Sequence, residues 1–207
     1  MRQPEFHRIY SQLPNVRAEL VGGRVYVASP VSEPHASRDS IMGGWTLTYA
    51  ARVSSLKSLD NATFILSPDD ELQPDTAIIV RRNGLSRINE RRLREGVGEL
   101  FVEVSYSSGS YDLHDKFESY RREGVREYVV VEIREARVRW FALKDGDYVE
   151  QASEDGIYKS TQFPGLWLNA EAAVNEDAAG VLDTLATGMA TEEFAAFARA
   201  NADSEDA

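Results

Sequence analysis

Cysteine is absent from this chain of 207 residues, so neither a disulfide framework nor a thiolate metal site can be built. Histidine is scarce, and His7, His35 and His114 are scattered rather than paired at ligand spacing. Any metal must therefore be held mainly by oxygen. No continuous apolar span reaches the length a bilayer requires, and Arg2, Glu5, Arg8, Arg17 and Glu19 interrupt the region where a signal-peptide core would lie. A soluble, cytoplasmic protein with no membrane partner is expected. Positive charge is also in short supply. The formal net charge of −11 argues at first sight against nucleic acid, because phosphate affinity draws mostly on lysine and arginine.

The distribution of charge points the other way. Residues 171–207 hold nine acidic side chains against Arg199 alone, a net of −8, which leaves −3 for residues 1–170. Arg81, Arg82, Arg87, Arg91, Arg92 and Arg94 against Glu90 make residues 81–94 locally +5. A basic segment beside an acidic centre is what a phosphate-cleaving site would want, although a solvated arginine face on a surface helix is the commoner origin of such a run. The length and the 43% hydrophobic content fit one main domain. Composition places it in residues 1–170, followed by an acidic, alanine-rich helical extension over 171–207 that is disordered from about Asn201 onward.

Apolar-alternating runs on either side of Gly22-Gly23 predict a β-hairpin. Ile41, Trp45, Tyr49 and Val53 recur at helical spacing after Pro34, with Ser32 or Ser37 as cap and with Gly43-Gly44 as a weak point or a place of close packing on a sheet. Residues 61–67, 75–80 and 99–105 read as strands, with Pro68-Asp69-Asp70 as a turn. Residues 111–123 form an amphipathic helix through Leu113, Phe117 and Tyr120, ended by Gly124. Further strands follow at 127–134, 137–143 and 148–151, then Phe163-Pro164-Gly165-Leu166 closing the core, then two short helices within 176–199. The strand, helix, strand passage from Glu99 to Ile133 fits a crossover between parallel strands. The fold class is α/β or α+β, with a mixed sheet flanked by helices.

Two carboxylates on neighbouring strands with a lysine on the following helix suit hydrolysis of a phosphodiester by a hard cation. Gln73-Pro74-Asp75 is followed 28 residues after Asp75 by Val102-Glu103-Val104. Alternation puts Phe101, Glu103 and Ser105 on one face, so Glu103 interrupts an otherwise apolar strand. A carboxylate there is expensive to desolvate, so it meets a cation shared with Asp75 or an arginine of the basic segment, unless that strand face is exposed. Pro74 favours a strand start for Asp75, where ligands and loops meet. Lys116 lies on one helical stripe with Asp112 and Tyr120, close enough to lean over the sheet or to form an ordinary surface pair with Asp112.

These words, with Gly124-Val125-Arg126-Glu127-Tyr128 and Phe163-Pro164-Gly165-Leu166, occur in the order in which they occur in the Uma-two family of putative endonucleases, which the chain resembles from about Glu19 to Leu168. That family belongs to the restriction-endonuclease-like, PD-(D/E)XK superfamily. The resemblance implies a restriction-endonuclease-like core and Mg²⁺-dependent cleavage of nucleic acid, DNA rather than RNA, with Mn²⁺ as the other eligible ion. It implies Asp75 and Glu103 as ligands, joined by the Val104 carbonyl. Glu19, in Glu-Leu-Val-Gly-Gly-Arg-Val, resembles the acidic residue of the family's opening hairpin and would assist the metal. Pro34-His35 resembles the family's Pro-x-x-His-type start of the long helix, where the histidine would contact phosphate or cap the helix. Ser105 occupies the position where the superfamily signature has a lysine, and Lys116 is the replacement that relatives of this type suggest. Arg81, Arg82, Arg91 and Arg92 are the candidate nucleic-acid contacts.

Two other readings stay open at this point. The fold could persist as an inactive nucleic-acid- or protein-binding module, consistent with Ser105 and the acidic total. An unrelated metal-dependent hydrolase of small phosphate esters is the second. Trp140, Phe141, Phe194 and Phe197 allow a homodimer interface.

Overall fold

The computed structural model describes residues 1–13, 15–28, 30–105 and 112–202. The side chains of Asp112 and Leu113, residues 106–111 and residues 203–207 lie outside the described residues, and with them the apolar position expected of Leu113 and the disorder expected of the last residues.

Fourteen strands and six α-helices are described, and two six-stranded sheets organise them. The first runs β2-β1-β5-β4-β8-β7 and is built from β1 (Ala18–Val21), β2 (Arg24–Val27), β4 (Phe64–Ser67), β5 (Asp70–Leu72), β7 (Ser86–Ile88) and β8 (Arg94–Gly96). The central sheet runs β12-β11-β10-β9-β6-β3, with β3 (Leu56–Asp60), β6 (Thr76–Val80), β9 (Leu100–Ser105), β10 (Glu127–Glu132), β11 (Arg137–Lys144) and β12 (Asp147–Glu150). A small ribbon pairs β13 (Ile157–Lys159) with β14 (Trp167–Asn169). The mixed α/β class is as the sequence indicates. β9 and β10 are parallel, joined by the expected crossover, and β10 is buried along its whole length. That two-sided burial explains its unbroken Val129-Val130-Val131 run.

The two faces of the central sheet carry different cores. On one face, helix α2 (Glu33–Ala50) lays Met42, Trp45 and Tyr49 onto Ile78, Val102, Val104, Val129 and Val131. The helices α4 (Ala170–Val174), α5 (Ala178–Met189) and α6 (Glu192–Ala200) add Val174, Val181, Leu185, Phe194 and Phe197 to that cluster. Arg38 ties α2 to this segment through the Val174 carbonyl and Glu176. Asn201, expected in the disordered end, accepts a hydrogen bond from the Ser55 N–H. On the other face, Phe101, Tyr128 and Val130 meet Val21, Phe64 and Leu72 of the first sheet and Tyr120 of α3 (Phe117–Glu123). Trp140 and Phe141, offered as interface residues, are buried in these two cores.

The glycine turn forms as expected. Gly22 and Gly23 have φ of 56° and 78°, the pair of left-handed conformations a tight hairpin needs. Of the two expectations for Gly43 and Gly44, close packing is not met, because a Cβ on either would meet nothing within 4 Å. Pro68-Asp69-Asp70 is not simply a turn, since buried Asp70 opens β5. The basic segment is a hairpin rather than a helix face. The Asn89 carboxamide oxygen accepts the Arg91 and Leu93 N–H groups, and Arg92 takes a left-handed φ of 64°, which folds β7 back onto β8. Sequence patterning alone does not reveal α1 (Gln3–Tyr10), β3 or the β13–β14 ribbon, all of them short elements. Among the described residues no helix is long and apolar enough to cross a membrane.

Candidate functional site

The chain passes from the first sheet to the central sheet through Gln73-Pro74-Asp75, between the end of β5 and the start of β6. Thr76 pairs with Val102, so continuing the antiparallel register by one step sets Asp75 opposite Glu103. Asp75 Oδ2 accepts the Val104 N–H at 2.7 Å. The structure thus brings the backbone of Val104 to Asp75 through its amide.

Glu103 is 3% exposed. Its Oε1 accepts Lys116 Nζ at 2.8 Å and the Tyr120 hydroxyl at 2.8 Å. Lys116 Nζ lies 3.1 Å from Glu19 Oε2, and Glu19 Oε1 accepts the Gln73 N–H at 2.7 Å. Glu19, Lys116 and Glu103 therefore form one ion-paired row, with the hairpin carboxylate also fastened to the segment that carries Asp75. The alternative of an exposed Asp112–Lys116 surface pair does not describe Lys116, which is 4% exposed.

Local structure explains how the lysine gets there. Residues Asp112–Lys116 form a π-helical turn ahead of α3, rather than the first turn of one regular helix. Such turns widen a helix by one residue and recur at functional sites. Tyr26 of β2 donates to Asp115 and fixes the hairpin to this turn. That bond pushes the Tyr26 hydroxyl up, with burial adding to it. Burial, then the Glu103 charge, pushes the Tyr120 hydroxyl well above the usual phenol range, so it stays a proton donor to Glu103.

Asp70 braces the same corner. Its carboxylate accepts the Gly22 N–H and the Ser67 and Ser119 hydroxyls and pairs with Arg122, joining the hairpin to α3. Burial alone would raise its pKa, but these donors outweigh it and hold the carboxyl below its usual range. Ser105 is buried and its Oγ has no hydrogen-bond partner among the described residues.

His35 and Asp39, one turn apart on α2, approach Asp75 from the other side. The ligand atoms of His35, Asp39 and Asp75 all lie within 4.8 Å of one another, with His35 Nε2 at 3.8 Å from Asp75 Oδ2. The α2 N-cap is Ser32, so His35 is not the cap. Asp39 is not among the residues that sequence patterning singles out. The signal available was its i, i+4 relation to His35 on a helix that faces a sheet. Burial, with Asp60 nearby, pushes the Asp39 carboxyl up to about 6, against the opposing pull of Arg17 and Asn61.

The arginines divide into two groups. Arg81 and Arg82 follow β6 at the end remote from Asp75, and Arg81 is engaged with the Leu56 carbonyl. An open groove of about 600 Å³ lies there, lined by Arg81, Gly84, Arg87 and Arg94. Arg91 and Arg92 lie at the tip of the β7–β8 hairpin. The Arg94 N–H bonds Thr63, and Asn61, two residues before Thr63, bonds the Asp75 carbonyl. The tip therefore projects from the end of the sheets that carries Asp75, and Arg91 and Arg92 are exposed there.

Comparison with known proteins matches this arrangement to a family. Among solved structures, a protein described as a putative nuclease belonging to DUF820 from Anabaena variabilis superposes with a TM-score of 0.60 at 10% identity, covering 85% of this chain and 96% of that one. That likeness supports the fold. No curated protein matches the chain. The sequence profile described as "Uma2: Putative restriction endonuclease" matches residues 3–171. Since that span holds every element from α1 through β14, together with Glu19, Asp75, Glu103 and Lys116, the chain belongs to the Uma2 family of putative restriction endonucleases.

Proposed function

We propose that the chain is a metal-dependent endonuclease that hydrolyses phosphodiester bonds, with DNA as substrate and the Glu19–Asp75–Glu103–Lys116 corner as its active site. The observation that carries this reading is Lys116 Nζ at 2.8 Å from Glu103 and 3.1 Å from Glu19. A lysine from the helix reaches the carboxylate that Ser105, two residues on, is too short and uncharged to serve.

The donor set fits a hard divalent cation. Glu19 and Glu103 flank one lysine, and Asp75 stands opposite Glu103 across the strand pair, so the corner holds more negative than positive charge in a shielded setting, where an added cation is favoured. Asp75 and Glu103, with the Val104 carbonyl, would hold Mg²⁺ or Mn²⁺. Such an ion supplies Lewis acidity that lowers the pKa of water and offsets charge on the phosphoryl oxygens.

The chain's own groups do the rest. Lys116 keeps a positive charge beside the reacting phosphate, where it offsets charge that grows toward the transition state. Tyr120 holds Glu103 in orientation from the core side, and Glu19 positions Lys116. Arg91 and Arg92 at the neighbouring hairpin tip hold flanking phosphates of the strand.

Asp75→Ala and Glu103→Ala should each abolish Mg²⁺-dependent cleavage of plasmid DNA while the circular dichroism spectrum stays native. Full activity in either variant refutes the assignment. Metal-independent, salt-sensitive DNA binding without turnover in the wild type would mark an inactive binding module instead.

A further inference from the structure

We propose that His35, Asp39 and Asp75 form a second cation site, on the α2 side of the β5–β6 link, selective for divalent transition ions over Mg²⁺, with Asp75 shared between it and the Glu103 corner. The inference depends on the nuclease reading only through that shared residue.

Geometry supplies the first support. His35 and Asp39 project from successive turns of one helix, a spacing that presents two ligands to one point. Asp75 arrives from a separate element, so the three come from a scaffold braced on two sides. Three ligand atoms mutually within 4.8 Å need only small side-chain rotations to close around one ion at the ~2.0–2.2 Å typical of such bonds.

The second support is an unmet need. Asp39 Oδ1 is shielded from solvent and has no hydrogen-bond partner among the described residues. A buried carboxylate oxygen without a donor costs free energy, and native structures seldom leave one without a reason such as an ion. Asn61 bonds the carboxylate and Arg17 offsets part of its charge, but no lysine or arginine is paired with Asp39 among the described ion pairs, Oδ1 is left without a donor, and Asp60 adds further negative charge nearby. A cation relieves both.

Ligand chemistry sets the preference. One imidazole nitrogen with two carboxylates suits Mn²⁺, Fe²⁺ or Zn²⁺, whereas Mg²⁺ favours oxygen alone. The oxygen-rich Glu103 corner and this nitrogen-containing site would then accept different ions on opposite sides of Asp75.

The test reads ligation directly. Zn²⁺ alone is titrated into the full chain labelled with ¹⁵N, and the three imidazoles are followed by two-dimensional NMR. His35 Nε2 should show the large shift of a ligated nitrogen, while His7, held by Glu71, stays in place and reports an intact fold. Asp39→Asn should weaken the His35 response at least about tenfold, the scale on which loss of one supporting group acts at a metal site. Glu103→Gln should leave that response unchanged, whatever it does to cleavage, and excess Mg²⁺ should not produce it. An unshifted His35 overturns the proposal, as does an unchanged response in Asp39→Asn. A response lost in Glu103→Gln but kept in Asp39→Asn would move the ion to the other side of Asp75 and also overturn it, leaving the nuclease assignment standing.

Discussion

Glu99, just ahead of β9, and Glu103, within it, are both 3% exposed. Their partners differ in kind. Glu99 accepts the backbone N–H groups of Val80 and Leu85, each at 2.9 Å, and closes the end of the sheet beside Gly84. A Cβ on Gly84 would come within 2.9 Å of that carboxylate and 2.6 Å of the Val80 carbonyl, so the cradle has no spare room. Glu103 instead meets the ends of two side chains, Lys116 and Tyr120. Backbone donors are fixed by the fold and make a structural clasp. A lysine on a flexible stem can follow charge as it moves, which is what a reacting phosphate requires.

The sharpest way to break this contrast is to remove the moving partner. Lys116→Met should lower the cleavage rate per folded molecule by about 10²- to 10³-fold, the range for loss of one group that stabilises developing charge. Adding Ser105→Lys to that variant should restore part of the rate, because Ser105 lies on the same strand face as Glu103 and its Oγ has no partner to displace. Gel-based cleavage kinetics at saturating Mg²⁺ provide the measurement. If Lys116→Met retains the wild-type rate, the lysine is a second structural clasp and Glu103 resembles Glu99 after all.

The complementary variant tests the clasp. Glu99→Ala strands two backbone N–H groups and should cost about 2–4 kcal/mol, on the basis of ~1–3 kcal/mol for each unsatisfied group. Thermal or urea unfolding will show the loss, while cleavage per folded molecule stays within a few-fold of wild type. A Glu99 variant that loses activity without losing stability would dissolve the distinction.

These differences are only partly legible in the sequence. The pattern of β9 identifies Glu103 as a carboxylate in an apolar strand, and the Gly22-Gly23 turn locates Glu19, because both signals are local. The partners are not local. Lys116 reaches Glu103 through a π-helical turn that a regular helical stripe does not anticipate. Asp70 has the look of turn chemistry because Pro68-Asp69-Asp70 is a common turn composition, yet four donors, from the Gly22 hairpin, from α3 and from its own turn, make it a buried strand residue. Asp39 carries no motif, and its relation to Asp75 exists only after α2 docks on the sheet.

Asp70 gives a smaller test with a pH signature. Its donors hold the folded pKa below the unfolded value of about 3.9. Its stabilising contribution is therefore complete above that unfolded value and is lost as the pH falls through the lower, folded one. Asp70→Asn should cost about 2 kcal/mol at pH 7, on the scale of a buried charge-assisted bond. The gap between variant and wild type should close as the pH drops below about 3.9. Equilibrium urea unfolding at neutral and acid pH measures both. A gap that persists unchanged in acid would mean that shape rather than charge holds this corner.

The smallest expected effects separate the two arginine groups, and they extend the comparison from the ends of one strand to the ends of the sheets. Arg91 and Arg92 stand on a turn that projects from the Asp75 end, while Arg81 and Arg82 follow β6 at the end that Glu99 closes. Arg91→Ala with Arg92→Ala should weaken binding to a non-cleavable duplex several-fold at moderate salt. The slope of log affinity against log salt should fall by about 0.9 for each phosphate contact removed. Arg81→Ala with Arg82→Ala should leave that slope unchanged, because DNA seated over Asp75 and Glu103 does not extend along the sheet to the far end of β6. Equal losses from both pairs would mean that the strand runs the length of the molecule, and the groove beside Arg81 and Arg94 would then belong to the binding path.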